Sequence, residues 1–202
     1  MGRGPLGTAE ASQSVNSVLL FPFIGRERHL SVLREALESS RERRLVTVWV
    51  HGRSGIGKTA LARYFLGEVR QRSELVVLEG RCYEREAVPY NALDGVVDDL
   101  NRHVKSLTRA DARALMPDDL GALMRLFPVL QEWRAFEAGL EITNFSDLGE
   151  VRQRGFTAFR QVLTRIAVRK PVLLFIDDLQ WGDEDSADLL ARYLRLEARP
   201  CF

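Results

Sequence analysis

A glycine-rich stretch early in the chain carries charged and polar residues at a spacing that suits an anion. It runs Gly52-Arg-Ser-Gly-Ile-Gly-Lys-Thr59 and matches GxxxxGK[ST] at every fixed position. Its glycines allow a tight curl whose N–H groups point at phosphate oxygens, and the following helix offers its positive N-terminal end. Lys58 supplies a charge for the β and γ phosphates, and Thr59 a hydroxyl for Mg²⁺. The predicted nucleotide contacts are Gly52, Arg53, Ser54, Gly55, Ile56, Gly57, Lys58, Thr59 and Ala60.

Two adjacent aspartates follow an apolar run late in the chain. Val172–Ile176 is apolar at every position and leads directly into Asp177 and Asp178. Open α/β sheets bind their ligands at the carboxyl ends of the strands, so both acids are predicted to lie at the site. As a Walker B pair, Asp177 would orient Mg²⁺ and Asp178 would polarise the attacking water. Asp178 and Lys58 are the predicted catalytic residues, and Thr59 and Asp177 the predicted metal-binding ones.

More acids follow this pair, but they do not form a calcium loop. Residues 177–191 contain six acids, and their order lacks the alternating D-x-[DN]-x-[DN]-G of an EF-hand. Acids at the start of a helix cap backbone N–H groups and interact favourably with the helix dipole. Each such interaction stabilises the helix by about 0.3–1 kcal/mol. Capping is therefore the favoured role of Asp183, Glu184, Asp185 and Asp188.

The segments around these motifs alternate between strand and helix patterns. Leu45–Val50 predicts a short buried strand before the glycine-rich loop, and Thr59–Val69 predicts a helix after it. Leu75–Leu78 has strand length, and Val172–Ile176 is typical of a central strand buried on both faces. Parallel strands need long crossover connections, so the alternation predicts an α/β fold: a parallel sheet with helices on its faces.

The middle of the chain, from about residue 89 to 168, is predicted to be a helical insertion. Its apolar residues recur at intervals of three and four residues, as on one face of a helix. Pro128 is expected to bend or end one of its helices. Another helix is expected to begin near Asp147, which loosely forms a capping box with Glu150. Helices are also predicted over Glu27–Ser39 and Ser186–Leu196.

Composition excludes several classes of protein. With 46% hydrophobic residues among 202, the chain can bury a sizeable core, so disorder and a collagen-like structure are excluded. Its net charge of +1 provides no global attraction to nucleic acid or membrane. The longest apolar runs fall far short of the ~20 residues of a membrane-spanning helix. Cys82 and Cys201 form no CxxC, so a reducing cytoplasm is the expected location.

Three segments occur in the order FIGRERHLSVLREAL, HGRSGIGKTAL and LLFIDDLQWGDEDSADLL. In this order they resemble the AAA-type ATPase domains of STAND regulators, and more narrowly the origin-recognition-like AAA modules of bacterial multidomain signalling proteins. The resemblance covers about residues 21–202 and implies a three-layer P-loop NTPase fold that binds ATP and Mg²⁺. Trp181 and Asp183 match the family's DDxxWxD pattern. The resemblance also implies adenine and ribose contacts from Phe23, Ile24, Gly25 and Arg26.

The sequence departs from this family in two places. Many AAA motors end their Walker B motif with Asp-Glu, whereas the second acid here is Asp178, one methylene shorter, so slow hydrolysis is expected. Arg199–Phe202 looks like the start of the next core strand. The sensor, arginine finger and helical lid of the family would then lie beyond Phe202. We expect residues 1–20 to be a flexible leader and 21–202 a partial, truncated AAA domain.

Three functions remain open at this point. The first is an ATP-binding, weakly hydrolysing switch that biases an attached effector domain, a partner protein or a nucleotide-dependent oligomer. The second is a DNA-associated loader of the origin-recognition type. The net charge disfavours it, and so does the lack of aromatic residues within the arginine-containing segments 41–44 and 70–72. The third is an incomplete nucleotide-binding module without activity. A GTPase is disfavoured because the sequence has no [NT]KxD motif.

Overall fold

The computed structural model describes residues 25–41, 44–72, 74–84, 89–136 and 147–197, with side chains described up to residue 191. The predicted leader, residues 1–20, lies outside this part of the chain. Seven α-helices and two strands are present in it, and none of these helices is long and apolar enough to cross a membrane. The elements are α1 Glu27–Ser40, α2 Lys58–Gln71, β1 Val76–Arg81, α3 Asn91–Lys105, α4 Arg109–Leu115, α5 Leu120–Leu126, a 3₁₀ helix Pro128–Phe136, α6 Leu148–Arg169, β2 Val172–Asp177, a 3₁₀ turn Leu179–Trp181 and α7 Glu184–Glu197.

The two strands pair in parallel, as the alternating sequence pattern predicts. Val76 lies opposite Val172 at one end of the ladder, and Arg81 lies opposite Asp177 at the other. The long crossover between them contains α3 to α6. Because the pairing is parallel, the carboxyl ends of both strands meet at one edge, next to Asp178.

Helices pack against both faces of this small sheet. On one face α1 and α2 form an apolar cluster with Leu75, Val77 and Leu173. On the other face α3 and α6 form the larger core, in which Leu78 is fully buried and Val172 is partly buried. Alternate side chains of each strand therefore enter different cores, as the period of two in a strand requires. The complete three-layer architecture stays a prediction.

Helix α3 lies unusually close to β1 because each of them has a glycine at the contact. A Cβ atom on Gly80 would lie 2.4 Å from the carbonyl oxygen of Ala92, and one on Gly95 would lie 2.7 Å from that of Glu79. Real Cβ atoms do not approach so closely. The contact is therefore backbone against backbone, and it fixes α3 on the strand that leads to the site.

The prediction of a helical middle region is confirmed for the residues that the structure describes. Helix α5 ends immediately before Phe127 and Pro128, and Asp147 caps α6 by accepting a hydrogen bond from the N–H of Gly149 at 3.0 Å. The side chain of Glu150 accepts from Arg154 instead of completing a capping box. Arginines of α6 tie it to the preceding helices through the pairs Arg154–Asp119, Arg165–Asp118 and Arg169–Asp111.

Two expectations about strands are wrong. Leu45–Val50 forms no strand, and its large side chains are mostly exposed, with Trp49 at 59%. Strand β2 is half-buried along its whole length, although its apolar run predicts burial on both faces. Within the described residues β2 pairs with β1 alone, so its second edge is open and Leu45–Val50 forms no ladder with it.

Candidate functional site

Two glycines of the glycine-rich loop lie in the left-handed region of backbone conformation. Gly55 and Gly57 adopt positive φ angles of 77° and 94°, which only glycine adopts readily. Gly57 is the N-cap residue immediately before α2, so the N–H groups of the first turn of α2 lie next to the loop. Arg53, Ser54 and Ile56 are exposed on this loop. The positive N-terminal end of α2 therefore lies at this loop, which favours an anion.

The Lys58 side chain folds back over the loop. Its Nζ donates to the carbonyl oxygen of Gly52 at 2.9 Å and to that of Arg53 at 3.1 Å. An ammonium group has three N–H donors, so it can keep both contacts and still donate to a phosphate oxygen. The lysine is thus held at the loop and not extended into solvent. Ala60, the last predicted contact, lies in the first turn of α2.

A hydrogen bond joins the loop to the acidic strand end. The hydroxyl of Thr59 donates to Asp177, with both carboxylate oxygens at 3.0 Å, although 118 positions separate the two residues. A hydroxyl and a carboxylate are oxygen ligands, which Mg²⁺ prefers. No group of three His, Cys, Asp or Glu residues within the described part of the chain could hold a metal by itself. This arrangement fits an ion that binds through few protein oxygens together with nucleotide phosphates.

The next aspartate, Asp178, is held by side chains on each side. It adopts a left-handed conformation with φ at 54°, which is uncommon for a residue other than glycine. Its Oδ2 accepts from the guanidinium of Arg81 at 3.1 Å, and its Oδ1 accepts from the amide of Gln180 at 3.1 Å. Arg81 also lies over the ring of Tyr83, 5.5 Å from its centroid. The carboxylate of Asp178 is therefore fixed at the carboxyl edge of the sheet.

The family model for the AAA ATPase domain matches residues 22–202, which includes the glycine-rich loop and both aspartates. The chain belongs to the AAA ATPase domain family. A search of curated proteins and a search of solved structures gave no match. Membership of the AAA family makes this a nucleotide-binding P-loop domain of the α/β class.

The residues predicted to contact adenine and ribose are only partly placed. Phe23 and Ile24 lie outside the described residues. Gly25 has a positive φ of 84°, and the guanidinium of Arg26 donates to the carbonyl oxygen of Ile56 at 2.6 Å. The start of α1 is thereby connected to the phosphate loop of this AAA domain. Contact of Gly25 and Arg26 with the base or sugar stays a prediction.

The capping role predicted for Asp183 is confirmed. Its carboxylate accepts from the N–H of Ser186 at 2.8 Å, in the first turn of α7. Glu184 and Asp185 occupy the same turn, and Asp185 also pairs with Arg152 of α6 at 2.9 Å. These acids therefore stabilise the start of the helix that follows the site.

Sequence reasoning missed two residues at the site of the AAA domain. Arg81 was not identified because only the strand register places it opposite Asp177. Cys82 follows it, is 1% exposed and donates its N–H to the carbonyl oxygen of Asp177 at 3.1 Å. Burial, with the nearby carboxylate of Asp183, raises the pKa of the Cys82 thiol to about 11. The thiol is therefore protonated at neutral pH and behaves as a packing residue.

Proposed function

We propose that this AAA domain is an ATP-binding, slowly hydrolysing switch module of a multidomain signalling or transcription regulator of the STAND type. The observation that carries the proposal is the hydrogen bond from Thr59 to Asp177. It brings together the two motifs that a magnesium nucleotide requires, at the edge of the sheet where α/β proteins bind ligands. The three-layer AAA architecture is part of the same proposal.

Each residue of the site has its own role in the proposed function. The loop N–H groups and Lys58 would bind the β and γ phosphates, and Thr59 and Asp177 would hold Mg²⁺. When bound, Mg²⁺ supplies positive charge that offsets the charge of the phosphate oxygens. Asp178 would orient and polarise the attacking water, because phosphoryl transfer depends mainly on positioning and electrostatics.

Slow hydrolysis is supported by the surroundings of Asp178. Its carboxylate interacts with Arg81 at 3.1 Å, so its negative charge is shared with a cation. A carboxylate held against a guanidinium is less free to orient an attacking water. The short side chain of an aspartate adds to this restraint. We infer that nucleotide occupancy, more than turnover, is what this domain signals.

The energetics of switching point to a contribution from outside this chain. ATP at ~1,000 times its dissociation constant stabilises the bound form by ~4 kcal/mol. To move a two-state equilibrium almost entirely from one state to the other, a ligand must bind the two states with affinities that differ by ~5.5 kcal/mol. We therefore propose that an effector domain, a partner protein or further copies of the chain supply the remainder.

Calorimetric titration with ATP and Mg²⁺ tests the proposal. We expect Lys58→Ala to weaken binding by at least about tenfold, since it removes a charge-assisted hydrogen bond of about 1.5–3 kcal/mol. Lys105→Ala is the matched control, because Lys105 pairs with Glu132 on the helical insertion, away from the loop. Equal affinities for Lys58→Ala and the unmodified chain would overturn the proposal.

A further inference from the structure

Asp183 makes more contacts than a helix cap requires. Besides the N–H of Ser186, its carboxylate accepts from the N–H of Tyr90 at 3.0 Å and from the N–H of Asn91 at 2.9 Å. The hydroxyl of the fully buried Ser186 donates to it too, and accepts from the N–H of Ala92 at 3.3 Å. One carboxylate therefore caps α7 and also the start of α3, 92 positions earlier in the chain.

The contacts of the Asp183 carboxylate indicate a structural role within the chain and not the binding of a metal or nucleotide. Both of its oxygens are directed at backbone or hydroxyl donors of this chain. Burial raises its pKa, but hydrogen bonds from Ser186 and from the backbone of Tyr90 outweigh burial and hold the pKa below its ordinary value. The carboxylate is thus ionised at neutral pH, and its charge faces the positive ends of two helices.

The segment from Asp178 to Asp183 is held at both ends. At its start, Asp177 is fixed by Thr59 and by the N–H of Cys82. At its end, Asp183 is fixed to α3 and α7. A residue other than glycine is uncommon in the left-handed region and stays there where its surroundings hold it. Asp178 is such a residue, and its carbonyl oxygen accepts from the N–H of Trp181 at 2.9 Å within the tethered segment.

We propose that Asp183 is a positioning residue for Asp178. By anchoring the far end of this segment to α3, it holds the left-handed turn that keeps the Asp178 carboxylate beside the carboxyl end of β2. The contacts of Asp183 are with backbone N–H groups and the Ser186 hydroxyl, so we assign it a role through the backbone and not as a catalytic residue. The inference rests on the proposed function, because it assigns Asp183 to the same hydrolysis step as Asp178. It also gives a physical reason for the spacing of the two acids.

Phosphate release and hydrogen exchange in Asp183→Ala test this inference. We expect kcat to fall about 10- to 100-fold, as misplacement of a reacting group by about 1 Å does. The affinity for ATP with Mg²⁺ should stay the same, since the phosphate loop is untouched. Amide exchange of Leu179–Gly182 should accelerate. Asp183→Asn keeps one acceptor oxygen and should recover part of the lost kcat.

Asp119→Ala is the matched control. Asp119 caps α5 through the N–H of Ala122 at 2.9 Å and pairs with Arg154, so its loss also destabilises the fold. It should lower the melting temperature while leaving kcat and the exchange of Leu179–Gly182 unchanged. If Asp183→Ala lowers only the melting temperature, as the control does, the inference is overturned. If the unmodified chain binds ATP but does not hydrolyse it, the proposed hydrolysis fails, and exchange of Leu179–Gly182 alone decides whether Asp183 holds this turn.

Discussion

At the scale of single residues, the two aspartates of the site differ in what they contact. Asp177 interacts with Thr59 of the phosphate loop, while Asp178 interacts with Arg81 and Gln180 at the sheet edge. The first set of contacts is suited to a metal and phosphate. The contacts of Asp178 restrain a carboxylate that we propose to activate water. The rate of hydrolysis should therefore respond to Arg81 while nucleotide affinity does not.

Replacement of Arg81 by alanine should raise kcat. The pair joins side chains that are 48% and 28% exposed, and ion pairs of this kind contribute about 0.2–1 kcal/mol. Freeing Asp178 should then increase kcat by up to about fivefold, measured as phosphate release at saturating ATP. Arg70→Ala, which removes the neighbouring pair with Glu79 on β1, is the control and should leave kcat unchanged. A decrease of kcat in Arg81→Ala would contradict the restraining role.

At the scale of elements, the site depends on how closely α3 lies against β1. Gly80 and Gly95 allow the two backbones to touch, and the start of α3 in turn holds Asp183. The helical insertion is thereby connected to the strand end that carries Arg81. A change in this contact should affect stability first and the site second.

Gly80→Ala tests the close contact between α3 and β1. The added methyl would meet a carbonyl oxygen at 2.4 Å, and overpacking of this kind costs about 1–3 kcal/mol. Gly67→Ala is the control, because nothing lies within 4 Å of a Cβ atom at this position of α2. It should stabilise the protein by about 0.5–1 kcal/mol, since alanine is the better helix former. Urea denaturation compares the two, and equal midpoints for both variants would refute the packing argument.

Local patterns predict the helices because each carries its own signal. The sequence itself shows apolar residues spaced three and four apart, a capping residue at Asp147 and a helix-breaking Pro128. The strand prediction for Leu45–Val50 fails because a strand also needs a neighbour, which hydropathy does not reveal. Arg81 and the contacts of Asp183 with α3 were missed for the same reason. Both depend on residues that are more than 90 positions away.

At the scale of the whole molecule, the AAA domain brings a basic loop and an acidic strand end together from distant parts of the chain. The balanced charge of the sequence is thus also present within one site, which suits the magnesium nucleotide that we propose. Helices on both faces of the sheet connect this site to the insertion and to α1. In the proposed function, these contacts are the ones through which a change in nucleotide occupancy would reach an effector domain or a partner.

The most direct test of the account is the Mg²⁺ dependence of ATP affinity in a double-mutant cycle of Thr59→Val and Asp177→Asn. Calorimetry with and without Mg²⁺ measures it. Because both residues are proposed to hold one ion, each single variant should lose most of the Mg²⁺ dependence, and the double variant should lose little more. If ATP binding by the unmodified chain is independent of Mg²⁺, or if the two losses simply add, Thr59 and Asp177 do not form a shared magnesium site and the account is contradicted.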